Sequence, residues 1–273
     1  MITGLTDDEI RAVAPSVFAT VKAPSMSDRY GFISTSQVLA ALRSEGFVPV
    51  RAQQTAARVE GRADYARHAL TFRLAQPQQR VGEVLPELLV LNAHDGSTAY
   101  RLMVGAFRLI CMNGLVVSES SLAAFRVAHQ GERTVAEVIT ATHHLVAQLP
   151  QVLDQVDSWR GIELSPAARL LYAQAALRLR YPKGGAPLAP SAILLPRRPE
   201  DNRPDLWTTF NLVQENLVQG GLPGQAASGR RTTTRPIAGV SSSLALNTGL
   251  WELSARTAAG LLLPEALAVE VAA

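Results

Sequence analysis

Two hydrophobic rhythms alternate along this chain, and their order sets the fold expected of it. Near the start, Thr6 with Glu9 and Ser34 with Gln37 stand at capping-box spacing, where each side chain satisfies an otherwise unpaired backbone donor. The second box precedes Val38, Leu39 and Leu42 on one face and stops at Gly46, so the spacing predicts a short amphipathic helix over 35–45. From Phe47 to Val127 the period changes to two. In HALTFRLA, Leu70, Phe72 and Leu74 share one face while Thr71 and Arg73 share the other, as in a half-buried strand. ELLVLN reads as a nearly continuous apolar strand, followed by the Asp-Gly turn His94-Asp95-Gly96-Ser97 that closes a hairpin. YRLMV and FRLIC alternate about Gly105, read as a bulge or bend, and Asn113-Gly114 reads as another turn before LAAFRV. These segments predict an antiparallel meander of about five or six strands.

The helical period then returns. Thr134 with Glu137 opens a stripe of Val135, Val138, Ile139, Thr142, Leu145, Val146 and Leu149, expected to cover one face of the sheet. Pro150 marks a kink or break, and Ser165-Pro166 starts another helix through LLYAQAALRL. YPKGGAPLAP is the clearest linker. Pro204 begins a helix with Leu206, Phe210, Val213 and Leu217 on one face, ended by Gly220-Gly221. The segment to Val240 has no apolar period and reads as an exposed loop, and a last helix carries Leu246, Leu250 and Leu253. The expected fold is α+β: an antiparallel β meander covered by a long helix, with a helical C-terminal part. Residues 1–181 form the expected core domain, 182–190 a linker, and 191–273 a helical region with a basic loop at 220–240, either separate or continuous with the core.

Composition narrows the class. With 47% hydrophobic residues in 273, the chain can bury a core and extensive disorder is excluded. The opening MITGLTDDEIRAV carries acids where a secretory signal carries bases, and no run is long enough to span a bilayer, so a cytoplasmic protein without membrane contact is expected. The single cysteine, Cys111 in FRLICMNG, rules out a disulfide framework or a multi-thiolate zinc site and reads as a buried inert thiol.

A search for chemistry is mostly negative. There is no phosphate loop, no Gly-rich turn between a strand and a helix, and no serine in a nucleophile elbow. His143 and His144 are adjacent on a helix and point apart. His94 and Asp95 with His68 or His129 are the one conceivable metal set, the basis of a weaker alternative, a metal-dependent hydrolase; backbone geometry alone explains an Asp-Gly turn. No catalytic residue, metal or cofactor is therefore assigned.

Arginine placement is the positive signal. Net charge is only +3, yet pI is near 9.3 and 24 of the 26 basic residues are arginine. Arg51, Arg73, Arg101, Arg108 and Arg126 fall about one per strand, where they either form a basic stripe on the face away from the core or pair with acids such as Glu87 and Glu119. RRPEDNRPDLW mixes Arg197 and Arg198 with three acids, so capping and local salt bridges can account for it as well as phosphate contact. From Gly220 to Gly239 the chain carries Arg230, Arg231 and Arg235 among hydroxyls, with no acid, a pattern suited to phosphate contact. Trp207, Phe210 and Trp251 lie on apolar helical stripes and read as core.

Several blocks together resemble a known family. LNAHDGSTAYRLMVGAFRLICMNGLV, LLPRRPEDNRPDLWTTFNLVQENLVQGGL, GRRTTTRPIAGV and LNTGLWELS look like the prophage and plasmid proteins of the YfjQ and YubP type, grouped as domain of unknown function 932. The residues that carry the likeness are Asn92, His94, Asp95, Gly96, Arg108, Asn113, Gly114, Arg197, Arg198, Asp205, Trp207, Gln214, Glu215, Asn216, Gly220, Gly221, Arg231, Arg235, Asn247 and Trp251. Ala93 and Met112 depart from the family's usual serine and threonine, and an alanine-rich end replaces a charged one. The resemblance implies a mobile-element setting more than a chemistry. By fold-level analogy a strand meander with a covering helix is also similar to single-strand annealing recombinases. The function expected is a non-enzymatic, homo-oligomeric protein that binds and anneals single-stranded DNA. The alternative is a protein–protein inhibitor or regulator acting against host defence.

Overall fold

The structure, a computed structural model, describes residues 3–56, 61–75, 84–108, 113–116, 125–127, 135–147 and 149–261. The readings made at Cys111, Met112, Glu119, His129, Thr134 and the alanine-rich end lie outside the described residues.

Capping sets the first helices. The Thr6 hydroxyl accepts from the Glu9 N–H while the Glu9 carboxylate accepts from the Thr6 N–H, starting α1 (Asp7–Val13). Ser34 caps α2 (Thr35–Ser44) by accepting from the Gln37 N–H, and Val38, Leu39 and Leu42 are buried as their spacing requires.

The strands are β1 (Phe47–Gln54), β2 (His68–Leu74), β3 (Val84–Asn92), β4 (Tyr100–Arg108), β5 (Asn113–Val116) and β6 (Phe125–Val127). They form one antiparallel sheet of six, in the order β1-β2-β3-β4-β5. β6 pairs with the start of β4 and β5 with its end. Two expectations change here. Gly105 stands in an unbroken ladder opposite Glu87 and Val116, and the irregularity lies between Pro49 and Arg51 instead, on an edge strand where proline's missing donor is tolerated. Asn113 and Gly114 belong to β5, opposite Arg108 and Phe107, and not to a turn. Leu70, Phe72, Leu88, Val90, Tyr100 and Leu102 share the core face. Over it, α2 and α3 (Val135–Val146) pack on each other and against β1 and β4, α3 burying Val138, Ala141, Thr142 and Leu145.

The helix breaks where Pro150 indicated: α3 ends at Val146 and a new helix, α4 (Leu149–Arg160), begins with the proline in its first turn, where no backbone donor is required. Its buried stripe is Val152, Leu153, Val156 and Trp159. The chain divides into two compact units, Met1–Leu153 and Asp154–Ala273. That division falls within α4 and earlier than the Pro- and Gly-rich 182–190 stretch, because α5 (Pro166–Arg180) packs Tyr172, Ala173, Ala176 and Leu177 inside the second unit. There α6 (Leu206–Gln219) begins after Asp205, whose carboxylate accepts from the Thr208 N–H at 2.8 Å and hydroxyl at 2.9 Å; Pro204 only precedes the cap. α6 is buried from Leu206 to Leu217. The segment expected to be a loop contains a small hairpin, β7 (Pro223–Gln225) and β8 (Arg231–Thr233), and α7 (Val240–Ala258) follows. The fold is α+β.

Candidate nucleic-acid interface

The hairpin is built by two glycines that admit no side chain. Gly220 ends α6 at φ +63, and a Cβ there would lie 2.7 Å from the Arg235 carbonyl carbon. A Cβ at Gly224 would overlap the Pro187 carbonyl oxygen, which accepts the Gln225 N–H at 2.7 Å. Gly221 donates to the Thr234 carbonyl and Thr234 back to Leu222, both at 2.9 Å, while Ala226 and the Gln225 side chain close the tip on Arg230 and Gly229. The strand period then sorts β8: Thr232 and Thr234 are partly covered, whereas Arg231, Thr233 and Arg235 are exposed, with Arg230 exposed at the tip. None of these three arginines makes an ion pair among the described residues.

Arg197 and Arg198 do different work. Arg197 donates to the Asn216 side chain at 2.8 Å and the Gly220 carbonyl at 2.7 Å, so it caps the C-terminus of α6. Asn216 in turn donates to the Ile193 and Leu195 carbonyls. Arg198 binds the buried carboxylates of Asp201 and Glu215. Both arginines are committed to holding α6.

The sheet arginines form a broken row. Register places Arg51, Arg73 and Arg101 on the face opposite the core; in the ladder Arg126 stands opposite Arg101, and Arg108 opposite Val84 and Asn113. Arg73 is paired with Glu87 at 2.7 Å, and Glu87 is only 4% exposed. Burial pushes the Glu87 carboxyl up to about 7, against the pull of Arg73 and, more weakly, Arg51. Of Arg51, Arg73 and Arg101, only Arg51 is plainly solvent-exposed.

The remaining family-pattern residues build the two interiors. Asn92 belongs to a buried chain of hydrogen bonds in the first unit. Its amide donates to the Thr35 hydroxyl at 2.9 Å, and that hydroxyl lies 2.9 Å from His68 Nε2. On the other side of the ring, His68 Nδ1 lies 2.7 Å from the Ser16 hydroxyl, which donates to Gln54 Oε1 at 2.6 Å. Gln54 Nε2 donates to the Ala63 carbonyl. Because Ser16 gives its only proton to Gln54, His68 must carry its proton on Nδ1, and Nε2 accepts from Thr35. Burial, then the neighbouring His94 ring 5.1 Å away, lowers the His68 pKa to about 3, so the ring is neutral. With both His68 nitrogens engaged, His68 offers no lone pair for a metal. No group of three or more metal-ligating side chains occurs among the described residues.

His94 itself is fully buried beside Phe32, and its main chain bonds Tyr65 and Ala23. Asp95 accepts from the Ser97 N–H, and Gly96 adopts φ +73 against Met26. In the second unit Trp207, Phe210, Trp159 and Trp251 form an aromatic cluster, Trp207 and Phe210 stacked at 5.5 Å. Gln214 donates to Asn247 at 2.6 Å, tying α6 to α7. Sequence reasoning missed Ser16, Thr35 and Gln54, whose partners are distant in the chain. It also missed the basic end of α5, which a scan for acid-free stretches finds: Leu164–Pro199 contains no Asp or Glu.

No helix among the described residues is long and apolar enough to cross a membrane. The model for the domain of unknown function DUF932 matches residues 23–251. UPF0380 protein YafZ of Escherichia coli (strain K12) is 40% identical over 250 residues, covering 92% of this chain and 90% of the relative. UPF0380 protein YfjQ of the same organism is 39% identical over the same shares. No solved structure matches. Matched over most of its length by the family model and by two relatives of similar size, the chain belongs to the DUF932 family.

Proposed function

We propose that this chain is a non-enzymatic protein that binds single-stranded DNA, anneals complementary strands and acts as a homo-oligomer in a mobile-element setting. One observation carries the reading: Arg230, Arg231 and Arg235 are exposed on a glycine-fixed hairpin, inside a stretch, Asn216–Trp251, without a single Asp or Glu. Guanidinium groups on a backbone already fixed and without local carboxylates attract phosphates with no loop left to order on binding. A strand held by its phosphates keeps its base edges free to pair, which annealing requires. The sheet row contributes less than the sequence pattern suggested, since Arg73 serves Glu87.

The test is fluorescence anisotropy of a labelled oligothymidylate over a salt series. Wild-type protein binds at low salt, and the triple variant Arg230→Ala, Arg231→Ala, Arg235→Ala binds more weakly. The variant's log–log salt slope falls by about 2, since each single-strand phosphate that is no longer neutralised lowers it by about 0.7. An unchanged slope overturns the assignment of these arginines, and absence of wild-type binding at low salt overturns the function in favour of a partner-binding regulator.

A further inference from the structure

The acid-free hairpin does not stand alone in the second unit. The other acid-free stretch, Leu164–Pro199, brings the C-terminal end of α5 against it. Gln225 donates to the Pro187 carbonyl at 2.7 Å, and Arg180 Nη2 lies 3.5 Å from the Arg235 carbonyl oxygen. α5 stops at Arg180. Tyr181 caps it, and the Gly184 N–H returns to the Tyr181 carbonyl at 2.9 Å in a tight turn that leaves Lys183 exposed. Arg178 is exposed one turn earlier, and neither it, Arg180 nor Lys183 makes an ion pair among the described residues. The Tyr181 ring is partly exposed, with the Arg180 guanidinium carbon 5.5 Å from its centroid.

We propose that the binding surface continues from the hairpin over Arg178, Arg180 and Lys183, and that Tyr181 stacks on a base of the bound strand; this rests on the nucleic-acid reading above. Single-strand binding combines a cationic track for phosphates with aromatic faces for bases, and every base offers a face. A duplex hides those faces in its own stack. A ring beside uncompensated cations therefore selects unpaired strands, whereas cations alone would hold a duplex equally well. The other aromatic rings of this unit, Trp159, Tyr172, Trp207, Phe210 and Trp251, are buried and cannot serve.

The experiment compares three probes by anisotropy at one salt concentration: an oligothymidylate, an abasic strand of the same length, and a duplex. Wild-type protein prefers the oligothymidylate to the abasic strand by about tenfold, the range expected of one stacked base. Tyr181→Ala removes that preference and leaves abasic binding unchanged, while Tyr181→Phe retains it. Arg178→Ala with Lys183→Ala lowers the salt slope on all single strands by about 1.4. If Tyr181→Ala weakens both strands equally, or neither, the stacking role is overturned, and the nucleic-acid reading stands wherever the hairpin arginines still govern affinity. If the wild type binds none of the three probes, both fall together. Circular dichroism of each variant establishes that its fold is intact, and the phenylalanine variant reads stacking even if alanine proves destabilising.

Discussion

Thr35→Val removes the one hydroxyl that joins Asn92 to His68, and the direction of the protons in that chain fixes what the change costs. Valine nearly matches threonine in volume, so no cavity opens and the loss is purely polar. His68 Nε2, fully buried, loses its hydrogen bond to the Thr35 hydroxyl. Asn92 keeps a second acceptor, the Ile33 carbonyl at 3.2 Å. One orphaned acceptor and one weakened donor together cost about 2–3 kcal/mol. Ser16→Ala cuts the same chain on the other side of the ring, with a smaller penalty. There the His68 Nδ1–H still has the Ala66 carbonyl at 3.0 Å, and Gln54 Oε1 still accepts from the residue-16 N–H at 3.0 Å. No group is orphaned, and the loss is about 1 kcal/mol. Urea denaturation followed by circular dichroism measures both. At an m-value of roughly 2 kcal/mol/M, Thr35→Val lowers the midpoint by about 1 M and Ser16→Ala by about half that. Equal losses, or the reverse order, refute the proton assignment, as does a 15N shift pattern showing His68 protonated on Nε2.

Two further outcomes follow from packing and charge. Arg73→Leu leaves Glu87 buried without its partner, which costs up to about 3–5 kcal/mol where the carboxylate is ionised. Glu87 already has a raised folded-state pKa, so its folded form holds a proton more tightly than the unfolded chain, and stability falls as pH rises from 4.5 through about 7. Removing Arg73 raises that pKa further; the variant's deficit is therefore smaller at pH 5 than at pH 8, and urea titrations at the two pH values showing a constant deficit would contradict the pairing. Gly224→Ala forces a Cβ onto the Pro187 carbonyl and detaches the hairpin, so single-strand affinity falls toward that of the triple arginine variant. Normal binding by this variant would mean that hairpin placement does not matter.

The sequence made the local structure legible wherever short-range chemistry decides it. Thr6, Ser34 and Ser165 cap helices as their spacing indicates, and the alternation in HALTFRLA sets the core face of β2. What escaped was decided by contacts between distant segments. The 220–240 segment lacks an apolar period because its hairpin is held by backbone bonds and by glycines fitted against Pro187, and neither leaves a hydrophobic pattern. The arginine signal needed the most revision. One per strand offered either a stripe or pairing with acids such as Glu87, and periodicity could not choose between them; Arg73 takes the second course, as Arg197 and Arg198 do in capping and anchoring α6. Tyr181 drew no attention because a lone aromatic beside a linker has no periodic partner, and its neighbour Arg180 meets the Arg235 carbonyl only in the folded chain.

Native mass spectrometry of the purified chain, at low salt with and without a short single-stranded oligonucleotide, tests the central claim most directly. The expected result is a species whose mass includes the oligonucleotide, present as an assembly of more than one chain and dissociating as salt is raised. A mass that stays that of the protein alone, at every ratio of oligonucleotide and at the lowest salt, contradicts it.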